Sequence, residues 1–253
     1  MADRRALIVN ADDLGQSVGI NRGIAEAHED GIVTSASLMV RWPASAEAAA
    51  YARSRPELGL GLHLDLGEWY LDDGIWVARY EVLVREHPDD VVAELRRQLE
   101  RFRELTGEDP THIDSHQHVH IKDHTREATL ELAAELAVPV RRLTDAIAYR
   151  GDFYAQDDDG NPRPEAIRVE SLVRLLPEVP AGFTELACHP GYVDEELTMY
   201  GAPRAEEIRT LCDPRVKTAI EREGIELCSF PAASPERDSN PRPPPYHGGA
   251  LAG

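Results

Sequence analysis

Short apolar runs alternate with amphipathic stretches along most of this chain. The first run, Ala6 to Val9, is followed at once by an amide, Asn10, and two adjacent carboxylates, Asp12 and Asp13. A run this short, bounded by polar turn residues, is typical of a buried strand. Similar patterns predict extended segments at 34–40, 58–66, 111–120, 138–141, 184–189 and 225–230.

Helical periodicity fills most of the intervals between these segments. Behind Ser17, a good N-cap residue, Ile20, Ile24 and Ala27 recur at helical spacing, and the helix is expected to stop at Gly31. Further helices are predicted at 44–53, 88–106, 125–136, 170–176, 205–211 and 216–223, and no clear element at 69–84 or 143–166.

The alternation of strands with helices predicts an α/β fold, with a parallel sheet and helices outside it. About seven βα units in 253 residues indicate an irregular or incomplete (β/α) TIM-like barrel. The alternative, a doubly wound open sheet, would need a glycine-rich phosphate turn where Asp12 and Asp13 stand. Without an internal repeat or linker, 1–230 is expected to be one domain, followed by a Pro-rich, largely disordered tail at 231–253.

The net charge and the cysteine content limit the expected binding partners and cellular location. A net charge of −19 would repel nucleic acid and anionic membranes, so neither is expected as a partner. Three cysteines without metal-like spacing fit a reducing compartment. We find no signal peptide and no apolar run long enough to span a bilayer, which makes the cytoplasm the expected location.

Polar residues with metal-binding chemistry follow several of the predicted strands. They are Asp12 and Asp13, His63, the run from His112 to His120, and His189. In a parallel barrel the carboxyl ends of the strands meet at one mouth, so these side chains should converge. On extended backbone, Asp12 and Asp13 would point to opposite sides and could serve different purposes.

The run from 112 to 120 places a polar residue at every second position. Extended backbone would put all of them on one face, although one ion rarely takes four ligands from one strand. Most are therefore expected to be partners of the ligands, since a ligand histidine usually gives its other N–H to a carboxylate or carbonyl. The residues concerned are His112, Asp114, His116, His118 and His120.

One aspartate and two histidines leave an open position on a divalent ion, which is the arrangement of a catalytic metal site. Water bound to zinc can reach a pKa near roughly 7. A second carboxylate beside it can then act as general base. This combination points to hydrolysis of a carbonyl compound.

Five motifs, in order, resemble the YdjC-like carbohydrate deacetylases across about residues 6 to 230. The opening motif is Leu7-Ile8-Val9-Asn10-Ala11-Asp12-Asp13-Leu14-Gly15, with Gly23-Ile24 and Gly31 to Ser37 downstream. The others are Gly61-Leu62-His63-Leu64, Thr111 to His120, Val138-Pro139-Val140-Arg141 and Cys188-His189-Pro190-Gly191-Tyr192.

The resemblance implies an irregular β/α barrel of the glycoside hydrolase and deacetylase type. It also implies removal of acetyl from an N-acetylated sugar, chitooligosaccharides being the best-known substrates, and a homodimer. Position by position, it implies metal ligands at Asp13, His63 and His116, a general base at Asp12, and at His189 a proton donor to the leaving amine. Arg141 is expected to orient Asp12 or to touch substrate.

The resemblance suggests Mg²⁺ as often as Zn²⁺, whereas two imidazole ligands favour zinc or another late transition metal. One divalent ion, Mg²⁺ or Zn²⁺, is therefore expected. The segment after His63 lacks the threonine and the glycine-proline turn expected in the family, which leaves the particular sugar open.

Other functions stay open on the sequence. Gly15 to Gly19 matches the G-x-S-x-G pattern of a serine hydrolase using Ser17, although Ser17 as a helix cap explains the pattern fully. A metal-dependent amidohydrolase for a non-sugar amide is a second alternative. A barrel that binds metal or sugar without catalysis would have no use for Asp12. A glycosidase would leave the histidines unexplained.

Overall fold

The chain folds into a parallel sheet with helices packed outside it. A computed structural model describes residues 4–72, 74–83, 87–157, 161–193 and 200–230. In chain order its elements are β1 (Arg5–Leu14), α1 (Val18–Glu29), β2 (Ser35–Leu38), α2 (Ser45–Arg53), β3 (Gly59–Leu64), β4 (Gly67–Asp72), β5 (Ile75–Glu81), α3 (Pro88–Thr106), β6 (Ile113–Ser115), α4 (Asp123–Leu136), β7 (Ile147–Arg150), α5 (Val169–Leu175), β8 (Gly182–Cys188), α6 (Ala202–Leu211), α7 (Pro214–Arg222) and β9 (Ile225–Leu227). Two short 3-10 segments lie at His116–Ile121 and Leu176–Glu178.

The strands run in the order β6-β3-β2-β1-β8-β7, and every pair along this path is parallel. β9 pairs with the first residues of β1. β2 pairs with β1 farther along, from Asn10 onward. Within the described ranges, no ladder joins β6 to β7. The sheet is thus a curled half-barrel: the predicted α/β class is confirmed, and a fully closed barrel is not observed.

The central strand and the first helix form as their sequences predict. β1 is buried along almost its whole length, with Leu7, Val9 and Ala11 packed into the hydrophobic core. Ile20 and Ile24 of α1 are fully buried, and each such side chain contributes roughly 1.5–3 kcal/mol to folding. Ser17 caps the helix, its hydroxyl accepting a hydrogen bond from the Ile20 N–H at 3.2 Å, as expected.

The segment at 69–84 has more structure than the sequence analysis predicted. β4 and β5 form an antiparallel hairpin in which Asp72 pairs with Ile75. The hairpin signal was present in the sequence, because Asp73-Gly74 stands between two runs rich in aromatic and β-branched residues. Its outer residues are unusually exposed for apolar side chains, with Ile75 at 68% and Trp76 at 56%.

Two other predicted strands were wrong in extent. At 138–141 a single bridge, Val140 to Ile113, replaces the expected strand, and Ala137 and Arg142 on either side have left-handed backbone. At 111–120 only β6 is extended.

The reason lies directly after β6. Gln117 and His118, within the segment His116–Ile121, have left-handed φ values of 50° and 53°, and they bend the chain sharply there. Extended backbone therefore ends at Ser115, and the five polar residues do not share one strand face as expected.

The remaining expectations concern the chain end and membranes. The predicted tail at 231–253 lies outside the described residues. In the part of the chain that the structure describes, no helix combines the length and hydropathy that crossing a membrane requires.

Candidate active site

A cavity of about 940 Å³ opens at the carboxyl ends of the central strands, beside the β4–β5 hairpin. The predicted site residues that line it are Asp12, Asp13, His63, His116, His118 and His189. Asp114, His120 and Arg141 lie buried behind this wall. Ser17 is buried and does not line the cavity, which removes the structural support for a serine nucleophile.

Asp13, His63 and His116 meet in one cluster. Asp13 Oδ1 lies 3.3 Å from His63 Nε2 and 2.9 Å from His116 Nδ1. Taking one donor atom from each residue, all three atoms lie within 4.8 Å of one another. Asp13 reaches this position through a left-handed backbone with φ 67°, so a local turn, rather than simple strand alternation, separates its carboxylate from that of Asp12.

The cluster fits a divalent ion. Two donors that share an ion at about 2.0–2.2 Å stand about 2.8–3.6 Å apart at octahedral or tetrahedral angles, and the two distances at Asp13 Oδ1 fall in this range. Two imidazoles and one carboxylate are also a donor set typical of catalytic zinc. The residues present therefore suit a metal with an open side toward the cavity.

A second grouping, Asp12, His63 and Asp114, also brings three donor atoms within 4.8 Å. Here the Arg141 guanidinium already fills the space, binding Asp12 at 2.6 Å and Asp114 at 2.8 Å. A cation in that position leaves no place for a second positive ion. The grouping with Asp13 is the better metal candidate.

Arg204 of α6 holds the other oxygen of Asp13. Its Nη2 donates to Asp13 Oδ2 at 2.5 Å, and the side chain is 1% exposed. Burial alone would raise the pKa of Asp13, but Arg204 and the neighbouring histidines outweigh burial and hold that pKa well below its ordinary value. Asp13 is therefore an anion with Oδ1 turned toward the two imidazoles.

Asp12 is fixed by a different arginine. Arg141 donates two hydrogen bonds to its carboxylate, Nη1 to Oδ2 and Nη2 to Oδ1, each at 2.6 Å. Burial pushes the pKa of Asp12 upward, but Arg141 outweighs it and the net shift is downward. The Arg141 side chain is fully buried, so of its two expected roles the geometry suits orienting Asp12 and not contacting substrate.

Asp114 and Glu185 complete this buried group. Asp114 accepts from His63 Nδ1 at 2.8 Å and from the Ser37 hydroxyl at 2.7 Å. Glu185 accepts from Arg141 Nε at 2.7 Å. One guanidinium thus serves three carboxylates in the interior of the curled sheet.

The remaining histidines of the 112–120 run have separate surroundings. His120 Nε2 donates to the Arg141 carbonyl at 3.0 Å and supports that arginine from behind. His118 contacts the Tyr149 hydroxyl at 3.2 Å, and its pKa is lowered by burial to about 3. His112 stacks on Phe230, at a ring-centroid distance of 3.7 Å.

Packing against His112 also explains a glycine of the second motif. A Cβ on Gly61 would lie 2.3 Å from the His112 ring.

His189 follows β8 and faces Asp12 across the cavity. Its Nε2 lies 3.7 Å from Asp12 Oδ2, and its ring lies against Tyr154 and Tyr200. Burial lowers the pKa of His189 to about 4, so the imidazole is neutral at pH 7. Its backbone N–H donates to Glu207, which also accepts from the Tyr200 hydroxyl.

The sequence analysis missed Glu68, Glu185, Arg204 and Glu207. Two of them, Glu185 and Glu207, lie on predicted elements, and Arg204 stands directly before the predicted helix at 205–211. The partners of Glu185 and Arg204 are 44 and 191 positions away in sequence. Arg204 and Glu207 did leave a usable signal, since they stand three positions apart on a helix and so share one face. Nothing local in the sequence indicates which end of the sheet that helix face packs against.

The pH dependence of stability tests the environment of Glu207. Burial raises the pKa of its carboxyl from 4.5 to about 7. The folded protein therefore keeps this proton at pH values where the unfolded chain has lost it. Between about pH 4.5 and 7 this group's contribution to the free energy of unfolding should fall as pH rises, and above 7 the full penalty applies.

The measurement is urea unfolding of wild type and Glu207→Gln at about pH 5 and pH 8, with metal content held fixed. We expect Glu207→Gln to gain stability relative to wild type at the higher pH. Glu206→Gln, one position earlier and paired with Arg209 near the surface, is the matched control. Its difference in stability from wild type should be the same at both pH values. An identical response of the two variants would contradict the raised pKa.

Sequence comparison relates most of the chain to known proteins. The family model described as YdjC-like protein matches residues 6–222. A Geobacillus stearothermophilus protein named carbohydrate deacetylase is 36% identical over 242 residues, covering 89% of this chain and 97% of the relative. A Serratia marcescens protein named chitooligosaccharide deacetylase is 33% identical over 254 residues, covering 89% and 98%.

Structure comparison agrees over the same length. A solved structure from Enterococcus faecalis V583, of a protein named for cellobiose-phosphate cleavage, superposes with a TM-score of 0.74 at 29% identity. The match covers 90% of this chain and 98% of that one. The fold is thus shared over nine-tenths of this chain.

Proposed function

This chain belongs to the YdjC-like protein family, and from that membership we propose that it is a metal-dependent hydrolase that removes the acetyl group from an N-acetylated sugar. The family resemblance identified from the motifs is confirmed by the match over residues 6–222. The observation that carries the chemistry is the pair Asp12 and Asp13. One carboxylate joins the two-histidine cluster, and the other stays outside it, 3.7 Å from His189.

We assign the metal ligands to Asp13, His63 and His116. A divalent ion held there would polarise the acetyl carbonyl, lower the pKa of water and stabilise the tetrahedral oxyanion. Zn²⁺ suits the two imidazoles, and Mg²⁺ is the alternative. Asp114 keeps the His63 ring oriented by accepting its Nδ1–H.

Asp12 is the proposed general base. Arg141 aligns its carboxylate and lowers its pKa, so that Asp12 is ionised and ready to accept a proton from water. The water oxygen adds to the acetyl carbon as its proton moves to Asp12.

His189 is the proposed proton donor to the amine. Because it is neutral at rest, it must first receive a proton. The proposed source is Asp12 Oδ2, 3.7 Å from its Nε2, which must approach by about 0.5 Å or more for the transfer. Transfer of that proton from Nε2 to the nitrogen balances the reaction as the C–N bond breaks. The products are acetate and a free amino sugar.

An amide that is not part of a sugar is the second candidate substrate. The site geometry suits either, because the reacting group is the same. The names of the relatives favour a carbohydrate. A homodimer, a cytoplasmic location and a single bound ion accompany the proposal as further expectations.

The test is acetate release from di-N-acetylchitobiose and other N-acetyl sugars by the full chain, first metal-stripped and then refilled with Zn²⁺ or Mg²⁺. We expect release only after refilling. His116→Ala should lose both turnover and bound metal, whereas Ser17→Ala should keep turnover because Ser17 only caps α1.

Two results would redirect the proposal. Metal bound at one equivalent without release from any sugar would favour the non-sugar amide. Full activity of the stripped protein would reject the metal mechanism.

A further inference from the structure

Glu68 is a buried carboxylate in the cavity wall that no step of the proposed reaction uses. It lies near the start of β4, is 2% exposed, and lines the cavity together with Asp13, His63 and His116. Its Oε2 has no hydrogen-bond partner among the described residues. Since a buried carboxylate oxygen without a partner is costly, its position needs a physical reason.

The complementary atom across the gap is Nε2 of His116. It lies 3.8 Å from Glu68 Oε2 and is likewise buried without a partner in the described ranges. The other ring nitrogen, Nδ1, faces Asp13 Oδ1 at 2.9 Å. The His116 ring therefore presents one nitrogen to the proposed metal cluster and the other to Glu68.

His63 has the same arrangement, with the hydrogen bond to its carboxylate already formed. Its Nε2 faces Asp13 at 3.3 Å, and its Nδ1 donates to Asp114 at 2.8 Å. Metal-binding histidines commonly give their free N–H to a carboxylate in this way, which fixes the tautomer. Each of the two candidate ligands thus has an acidic neighbour on its far side, Asp114 for His63 and Glu68 for His116.

Backbone contacts hold Glu68 opposite His116. Gln117, directly after His116, bonds both backbone groups of Trp69, directly after Glu68. The Trp69 N–H donates to Gln117 Oε1 at 2.9 Å, and Gln117 Nε2 donates to the Trp69 carbonyl at 2.7 Å. The two side chains therefore face each other because their chain neighbours are joined.

We propose that Glu68 is the positioning residue of His116. Its Oε2 accepts a hydrogen bond from Nε2–H, which fixes the tautomer that leaves Nδ1 free for the ion. The present 3.8 Å exceeds the ~2.7–3.2 Å of an N–H···O bond, so the side chains approach by about 1 Å or less when the bond forms. The inference rests on the proposed metal site and makes the β4–β5 hairpin a determinant of metal affinity.

Two substitutions of Glu68 test its role as hydrogen-bond acceptor separately from its negative charge. Glu68→Met removes the acceptor at similar length, and Glu68→Gln keeps an oxygen acceptor without the charge. In chelator competition for Zn²⁺ with the metal-stripped full chain, we expect Kd to rise about 10–100-fold in Glu68→Met and less in Glu68→Gln. Glu81→Gln, an exposed carboxylate on β5 of the same hairpin, is the control and should leave Kd unchanged.

The tautomer of the His116 ring is a second measurement, and it would not change if Glu68 had a purely structural role. In nitrogen-15 NMR of the Zn²⁺-loaded protein, His116 should carry its proton on Nε2 in wild type, with a slowly exchanging signal that Glu68→Met loses. If Glu68→Met fails to fold, Glu68→Gln carries the test through the shift of that signal.

Unchanged Kd and an unchanged His116 signal in the folded variants would overturn the proposal. A raised KM for sugar with an unchanged Zn²⁺ Kd would overturn it as well, by assigning Glu68 to substrate. Failure of wild type to bind Zn²⁺ at all would instead reject the metal site, and the role of Glu68 with it.

Discussion

Asparagine in place of Asp12 is expected to lower kcat by about 10²–10⁴-fold, the usual contribution of a positioned general base. Asparagine has nearly the shape of aspartate but cannot accept the proton that water must lose. Asp13, His63 and His116 are untouched by this change, so bound metal should stay at the wild-type level. The measurements are acetate release at saturating sugar and metal content after dialysis.

Two comparisons make this result specific to Asp12. Asp145→Asn removes an exposed carboxylate outside the cavity and should leave kcat unchanged. His116→Ala should lose metal and turnover together. If Asp12→Asn retained wild-type kcat, the base would have to be another group, and the assignment of Asp12 would be wrong.

Replacement of Arg141 by methionine is expected to have the largest effect on stability, about 3–5 kcal/mol, which is typical when one partner of a buried ionic group is removed. Arg141 is the cation shared by Asp12, Asp114 and Glu185, all of which are buried. Without it, three carboxylates would remain close together in the interior, and folding would require some of them to take up protons.

Urea unfolding near neutral pH measures this loss, with Arg126→Met as the control. Arg126 is exposed on α4, and its replacement should change stability by no more than about 0.5 kcal/mol. The deficit of Arg141→Met should also shrink as pH falls, because protonated carboxyls no longer repel one another. An Arg141→Met protein as stable as wild type would mean that the buried carboxyls are neutral without the arginine.

The elements that sequence reasoning placed well are those whose signal is local. The apolar run of β1 and the Ser17 cap of α1 depend on residues within one turn or one strand. The alternation of such elements was enough to predict a parallel sheet with helices outside it. Closure of a barrel depends instead on the two edge strands, here β6 and β7, pairing with each other, and no short segment encodes that pairing.

The errors have equally physical causes. Alternation of polar residues after Ile113 suggested extended backbone, but left-handed residues at Gln117 and His118 bend the chain after Ser115. β7 lies in a region without strong periodicity and forms because β8 offers it a parallel partner. Tertiary pairing decided both segments.

The site was partly predictable for the same reason. Strand ends converge in a parallel sheet, so Asp13, His63 and His116 could be expected together, and the structure brings them together. The arginines that hold the carboxylates could not be matched to their partners in this way. Arg141 lies 129 positions from Asp12, and Arg204 lies 191 from Asp13.

The left-handed backbone of Asp13 has a practical consequence for anyone who surveys this position with a variant library. Ordinary residues are disfavoured at φ 67° by about 1–2 kcal/mol, whereas asparagine and glycine tolerate it. All neutral substitutions leave the buried Arg204 without its carboxylate partner, and among them a survey scored by protein yield would favour asparagine and glycine for folding reasons alone. Only a survey scored per folded molecule would read out the carboxylate itself, and in it asparagine should rank with the inactive variants.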